Sequence, residues 1–115
     1  MRYVMLIQQD ETVVANLSQD EQVDLKRAFG AFYNAMRERG ISFTSEALLP
    51  SAMAKTVIAG GNRPLATDGP FAVTKEQVGG IFIVDCADWD EAIEIANMLP
   101  VAQGSAVEIR PILQF

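Results

Sequence analysis

Apolar side chains occupy odd and even positions alike from Arg2 to Gln8, with Tyr3, Val4, Met5, Leu6 and Ile7 in succession. A strand that is apolar on both faces belongs in the interior of a sheet. Gly80 to Asp85 repeats the pattern through Ile81-Phe82-Ile83-Val84 and predicts a second central strand. Between them the period changes. Ser18-Gln19-Asp20-Glu21 places a serine cap three residues before a glutamate, an arrangement that satisfies two orphan amides and starts a helix. Leu25, Phe29, Phe32 and Met36 then recur at helical spacing, and Gly40 supplies the C-terminal cap. Gly30 sits inside this helix at a cost of up to ~1 kcal/mol against alanine, which predicts close packing there. The preceding stretch, Asp10 to Leu17, reads as a loop.

Ile41 to Leu49 and Lys55 to Ala59 read as strands. Gly60-Gly61-Asn62 is a tight-turn signal, with Arg63 to Thr67 as the short return strand. Asp68 to Gln77 reads as irregular loop. A second helix begins at Asp88-Trp89-Asp90-Glu91, is expected to bury Trp89, Ala92, Ile93, Ala96 and Leu99, and stops at Pro100. Val107 to Leu113 is the closing strand. The order β-α-β, β-hairpin, β-α-β predicts one α+β domain over residues 1–115. Its form is a ferredoxin-like sandwich with an inserted β-hairpin and two helices on one face of an antiparallel sheet. The second sheet face is left apolar, and a second copy of the chain is its expected cover, giving a homodimer.

Composition removes several function classes. Nine basic against fifteen acidic residues give a net charge of −6, which opposes phosphate backbones and anionic lipids, so neither nucleic acid nor membrane is an expected partner. The absence of histidine excludes Ser-His-Asp and Cys-His catalysis and every His-ligated metal site. Cys86 is the single cysteine, so no intramolecular disulfide forms; beside Asp85 and Asp88 it reads as a small buried hydrophobe. Of the acids Asp85, Asp88, Asp90, Glu91 and Glu94, three fall in a helix's first turn, where the backbone dipole favours negative charge. No metal or cofactor is therefore expected. Lys26-Arg27 and Arg37 to Arg39 read as a solvated helix face. Arg2 and the five apolar residues after it are too short for a signal peptide, and no run approaches the roughly 20 apolar residues of a membrane span. A cytoplasmic protein is expected.

Candidate chemistry concentrates between Thr67 and Gly80, where Asp68, Lys75, Glu76, two hydroxyls and an amide share one loop. Pro70 fixes its own backbone angle and is expected to hold Gly69 extended. Two readings stand side by side. Asp68 is a turn former, with Phe71 plugging the core, or the loop is a site mounted on a sheet. Arg110, on the last strand, either binds a carboxylate in a cleft or pairs with an acid across the sheet.

The run Asp68-Gly69-Pro70-Phe71, followed by Thr74-Lys75-Glu76-Gln77 and Gly79-Gly80, resembles the signature of the DGPF family of YCII-related proteins. Arg2 to Ile7, Asp90-Glu91-Ala92 and Gly104 to Pro111 extend the resemblance over nearly the whole chain. It implies a dimeric α+β barrel of ferredoxin-like protomers. That family usually has a glutamate where this chain has Val73, so no role for that carboxylate carries over. The wider group has a suggested His–Asp active site, and some relatives resemble elimination enzymes acting on chlorinated aromatics; with no histidine here, that pair is missing.

Two functions follow. In the first, a small molecule binds in a cleft bordered by the Asp68 loop. Asp68 is a candidate general base there, and Thr67, Phe71, Lys75, Glu76 and Arg110 are candidate ligand contacts. In the second, the motif only locks the fold of a non-catalytic dimeric accessory or regulatory protein, a class that includes family members resembling partners of extracytoplasmic-function sigma factors. A ligand-sized cavity lined by Asp68, Lys75 and Arg110 favours the first and a filled core the second.

Overall fold

A computed structural model describes residues 1–61 and 65–115. The elements run β1 (Arg2–Asp10), α1 (Glu11–Ala15), α2 (Gln19–Glu38), β2 (Ser42–Ala47), β3 (Lys55–Ile58), β4 (Leu65–Asp68), β5 (Glu76–Asp85), α3 (Trp89–Met98) and β6 (Ala106–Pro111). β2, β5, β1 and β6 form an antiparallel sheet in that order, with the two apolar strands in the middle, and β3 pairs with β4 in a separate two-stranded sheet. This is the ferredoxin-like α+β arrangement with an inserted hairpin. The tip expected at Gly60-Gly61-Asn62 and the first half of the return strand, from Arg63, fall at or beyond the edge of the described residues.

Period-two alternation sorts the sheet. Tyr3, Met5, Phe82 and Val84 point to the helix side and are at most 3% exposed, and they pack against Phe32 and Met36 of α2 and Ala92, Ile95 and Leu99 of α3. Val4, Leu6, Ile81 and Ile83 point the other way and are half-buried. Both helix starts follow the expected chemistry. Ser18 Oγ accepts from the Glu21 amide and Glu21 Oε1 from the Ser18 amide, both at 3.1 Å. Asp88 Oδ1 accepts from the Glu91 amide at 3.0 Å.

Several expectations need correction. The loop expected at Asp10 to Leu17 contains α1, because the Asp10 carboxylate accepts from both the amide (2.9 Å) and the hydroxyl (2.6 Å) of Thr12 and caps a helical turn. β5 begins at Glu76 rather than Gly80. The register slips between Ile7 and Gln8, and Gly79 is the extra residue of a bulge rather than a strand's edge. Alanine here would put its Cβ 1.8 Å from Gln9 Nε2, since the Gln9 side chain lies across the bulge. On α3 it is Ile95, three residues from Ala92 and four from Leu99, that meets the sheet, while Ile93 is 47% exposed. Trp89 is 44% exposed and covers Tyr3 edge-on, with ring centres 5.1 Å apart.

The hairpin β3–β4 stands away from this sandwich. The radius of gyration is 16.2 Å, against about 13 Å for a compact chain near this length. The hairpin's base is fixed by Gly69, whose amide donates to the Ala54 carbonyl (2.7 Å) and whose own carbonyl accepts from Thr56 Oγ1 (2.8 Å). Gly69 does not take the extended geometry expected before Pro70. Its φ is 95°, open to it because it has no Cβ.

Candidate functional site

α2 is 20 residues long, about 30 Å of helix, but only its second half is seated, through Phe32 and Met36. Its first half stands off the sheet and leaves a cavity of about 750 Å³. The helix contributes the stripe Gln22, Leu25, Lys26, Phe29, Gly30 and Tyr33, at the three- and four-residue steps of one helical face. The sheet contributes Ile7, Gln9, Ser45, Ala47, Gly80 and Phe82 as the floor. Val14 and Leu17 close one end, and Pro100 to Ala102, following α3, line it as well.

Glycines on opposite walls widen the space. A Cβ on Gly30 would meet no atom within 4 Å, so the close packing expected around this residue is not formed. Gly79 and Gly80 lie on the facing wall. On Gly80 a Cβ would come 3.3 Å from the Glu46 carbonyl oxygen, so the bare glycine lets β2 lie close to β5. The cavity's interior is apolar and aromatic: Phe29 and Phe82 are near-parallel with centres 6.4 Å apart, and Tyr33 lies 6.2 Å from each. Polar atoms are few. Ser45 Oγ donates weakly to Tyr33 Oη at 3.4 Å, and Gln9, Gln22 and Lys26 supply the rest. Glu46 also borders the cavity, but its side chain belongs to the outer sheet face, since it pairs with Ile81 in the register. Lys26 is thus the one charged lining residue that does not belong to the outer sheet face.

None of the expected site residues lines this cavity. Asp68 ends β4, 88% exposed, with its Oδ1 2.7 Å from Lys55 Nζ. Thr67 Oγ1 makes a long contact of 3.4 Å to the Thr56 carbonyl. Phe71 is 78% exposed, so it does not plug the core. Arg110 is opposite Val4 in the register, hence on the sheet face away from the helices. Lys75 and Glu76 do come together, in a small cleft of about 120 Å³ with Asp10, Gly104 and Ser105. There Lys75 Nζ lies 3.7 Å from Asp10 Oδ2. The single cleft expected from Asp68, Lys75 and Arg110 is therefore not assembled within one chain, because the hairpin carries Asp68 away and the β6 alternation turns Arg110 outward.

Four ionisable groups are perturbed for clear reasons; burial raises the Tyr3 phenol, with Cys86 and Asp88 adding to the effect. The Asp10 carboxyl is held low, chiefly by the Thr12 hydroxyl and amide that donate to it. The Glu11 carboxyl is likewise low, because the Ser51 hydroxyl and amide donate to it. Burial raises the Cys86 thiol, with Glu91 adding to the effect, as suits the inert hydrophobe expected. Among the described residues no helix is long and apolar enough to cross a membrane.

These features define an α+β sandwich with a helix-roofed apolar cavity. The sequence matches the YCII-related domain family over residues 1–115, and the chain belongs to that family. It is 34% identical over 114 residues to an uncharacterised protein of Rhizobium meliloti (strain 1021), covering 97% of this chain and 92% of that one.

Proposed function

We propose that the protein binds a small, largely apolar molecule in the cavity between the first half of α2 and the sheet. The observation that carries this reading is the cavity itself: about 750 Å³ of largely apolar space beside a helical glycine whose missing side chain faces open room, in the size range of ligand sites. Open to water, such a cavity leaves apolar wall hydrated, and an apolar ligand that covers the wall removes that area from water. Asp68 chemistry draws no support from its surroundings, since the carboxylate is solvent-exposed and paired with Lys55 across the hairpin. The test is a thermal-shift screen of small apolar and amphiphilic compounds on wild type and Gly30→Phe, a side chain that fills the space. A compound at a hundred times its dissociation constant adds about 2.7 kcal/mol of stability. At least one should raise the wild-type melting temperature and leave the variant's unmoved; shifts equal in both would place binding elsewhere.

A second reading, a non-catalytic dimeric accessory protein, is favoured by surface the sandwich leaves bare. Val57, Ile58, Phe71 and Val73 around the hairpin are 54–90% exposed, and the outer sheet face carries Val4, Leu6, Ile81 and Ile83. On the sheet these four neighbours form an apolar centre flanked by Glu46, Glu108 and Arg110, and apolar surface rimmed by charge is what a second copy or a protein partner covers.

A further inference from the structure

We infer that the cavity selects an amphiphile with one negative charge, a carboxylate carried on an apolar body, and that Lys26 is the residue that reads it. The inference rests on the cavity-binding reading above and adds the ligand's chemical class. Lys26 lines the cavity on the same helical stripe as Phe29 and Gly30 and is itself exposed, a position from which a methylene stem can follow the apolar wall while the ammonium stays in water at the opening. Its helical neighbours at three and four residues are Gln22, Val23, Phe29 and Gly30, none of them acidic. Arg27, next in the chain, is by contrast engaged, 3.8 Å from Asp24. Among the described residues no carboxylate lies within salt-bridge distance of Lys26, and the Glu46 side chain is on the far face of the sheet. A lone cation over an apolar, aromatic-floored cavity complements an anionic head with a hydrophobic tail, with Gln9, Gln22 and the Tyr33–Ser45 hydroxyl pair available as neutral partners. The net charge of −6 works against anions over the molecule as a whole, so a preference for an anion here would be a local property of Lys26.

The experiment compares decanoate, decan-1-ol and decylammonium by isothermal titration into the full chain, for wild type, Lys26→Gln, Lys26→Arg and Gly30→Phe. Wild type should bind decanoate about tenfold more tightly than decanol, the scale of one charge-assisted hydrogen bond at a rim open to water, and decylammonium least. Lys26→Gln should erase the decanoate advantage without weakening decanol, Lys26→Arg should keep it, and Gly30→Phe should remove binding of all three. Equal binding of decanoate and decanol to wild type, or an advantage that survives Lys26→Gln, overturns the anion assignment and leaves cavity binding standing. Absence of binding by every probe, or binding unchanged in Gly30→Phe, overturns both.

Discussion

Replacing Gly30 by alanine should stabilise the protein. Glycine in a helix interior is about 0.8–1 kcal/mol less favourable than alanine, since it leaves more backbone freedom in the unfolded chain and exposes more backbone in the helix. That gain is realised only where the new methyl meets no neighbour. At Gly30 the added Cβ finds nothing within 4 Å, so the full propensity term should appear. For 115 residues it corresponds to a rise in melting temperature of roughly 3–4 °C. Thermal and urea unfolding followed by far-ultraviolet circular dichroism would measure it, with Gly80→Ala as the contrast. Gly80 has the Glu46 carbonyl 3.3 Å from its would-be Cβ, so alanine there should lower stability by straining the β2–β5 ladder. If Gly30→Ala instead melts below wild type, the helix is packed against something at that point. The cavity, and the function drawn from it, would then be filled by protein.

Two copies should associate through the outer sheet face. Light scattering at micromolar concentration should return twice 12.6 kDa, and Ile83→Glu, at the centre of that face opposite Val4, should return the single-chain mass. A single-chain mass for the wild type would remove the dimer. Stability should fall with acid, because Asp10 and Glu11 have folded carboxyl pKa values below their unfolded ones. Their contribution is present above about pH 4 and lost as the pH drops through the lowered folded values, so Ser51→Ala should flatten the acid limb of a urea-midpoint profile; an unchanged limb would show that the Glu11–Ser51 contact contributes nothing. Asp68→Asn should change stability by less than about 1 kcal/mol, the range for an exposed ion pair, and leave decanoate titration unaltered. Loss of binding in that variant would return Asp68 to the site.

The architecture was legible because each element is written in side chains that act locally. The Ser18–Glu21 reciprocal cap, the Asp88 cap and the two all-apolar strands need no distant information to be read, and each formed at those residues, with β5 starting ahead of its apolar run at Glu76. Misreadings fell where two local signals compete. Asp10 reads as the end of a strand and also caps α1 through Thr12, and Gly79-Gly80 reads as a boundary when it is a bulge inside β5. On α3, Ile93 and Ile95 are equally apolar, and the sheet's position, which one helix cannot report, selects Ile95.

The cavity was illegible for a different reason: it is an absence of packing, and a periodic apolar stripe predicts contact. Leu25 and Phe29 continue the stripe that Phe32 and Met36 bury, so the sequence pattern predicts one seated helix. The one trace in the chain was Gly30, whose helix cost had to be offset by something. Close packing and open space are the two environments that make a missing side chain useful, and residue type alone does not choose between them. Lys26 follows the same logic. Beside Arg27 it reads as half of a solvated pair, and both residues are indeed exposed; the 100° step per residue of a helix still separates them, setting Arg27 beside Asp24 and Lys26 on the lining of the cavity. Under the proposed reading, function turns on which way neighbouring residues of one helix face, a property that the loop richest in reactive groups, which leaves the β3–β4 hairpin at Asp68, has no means to report.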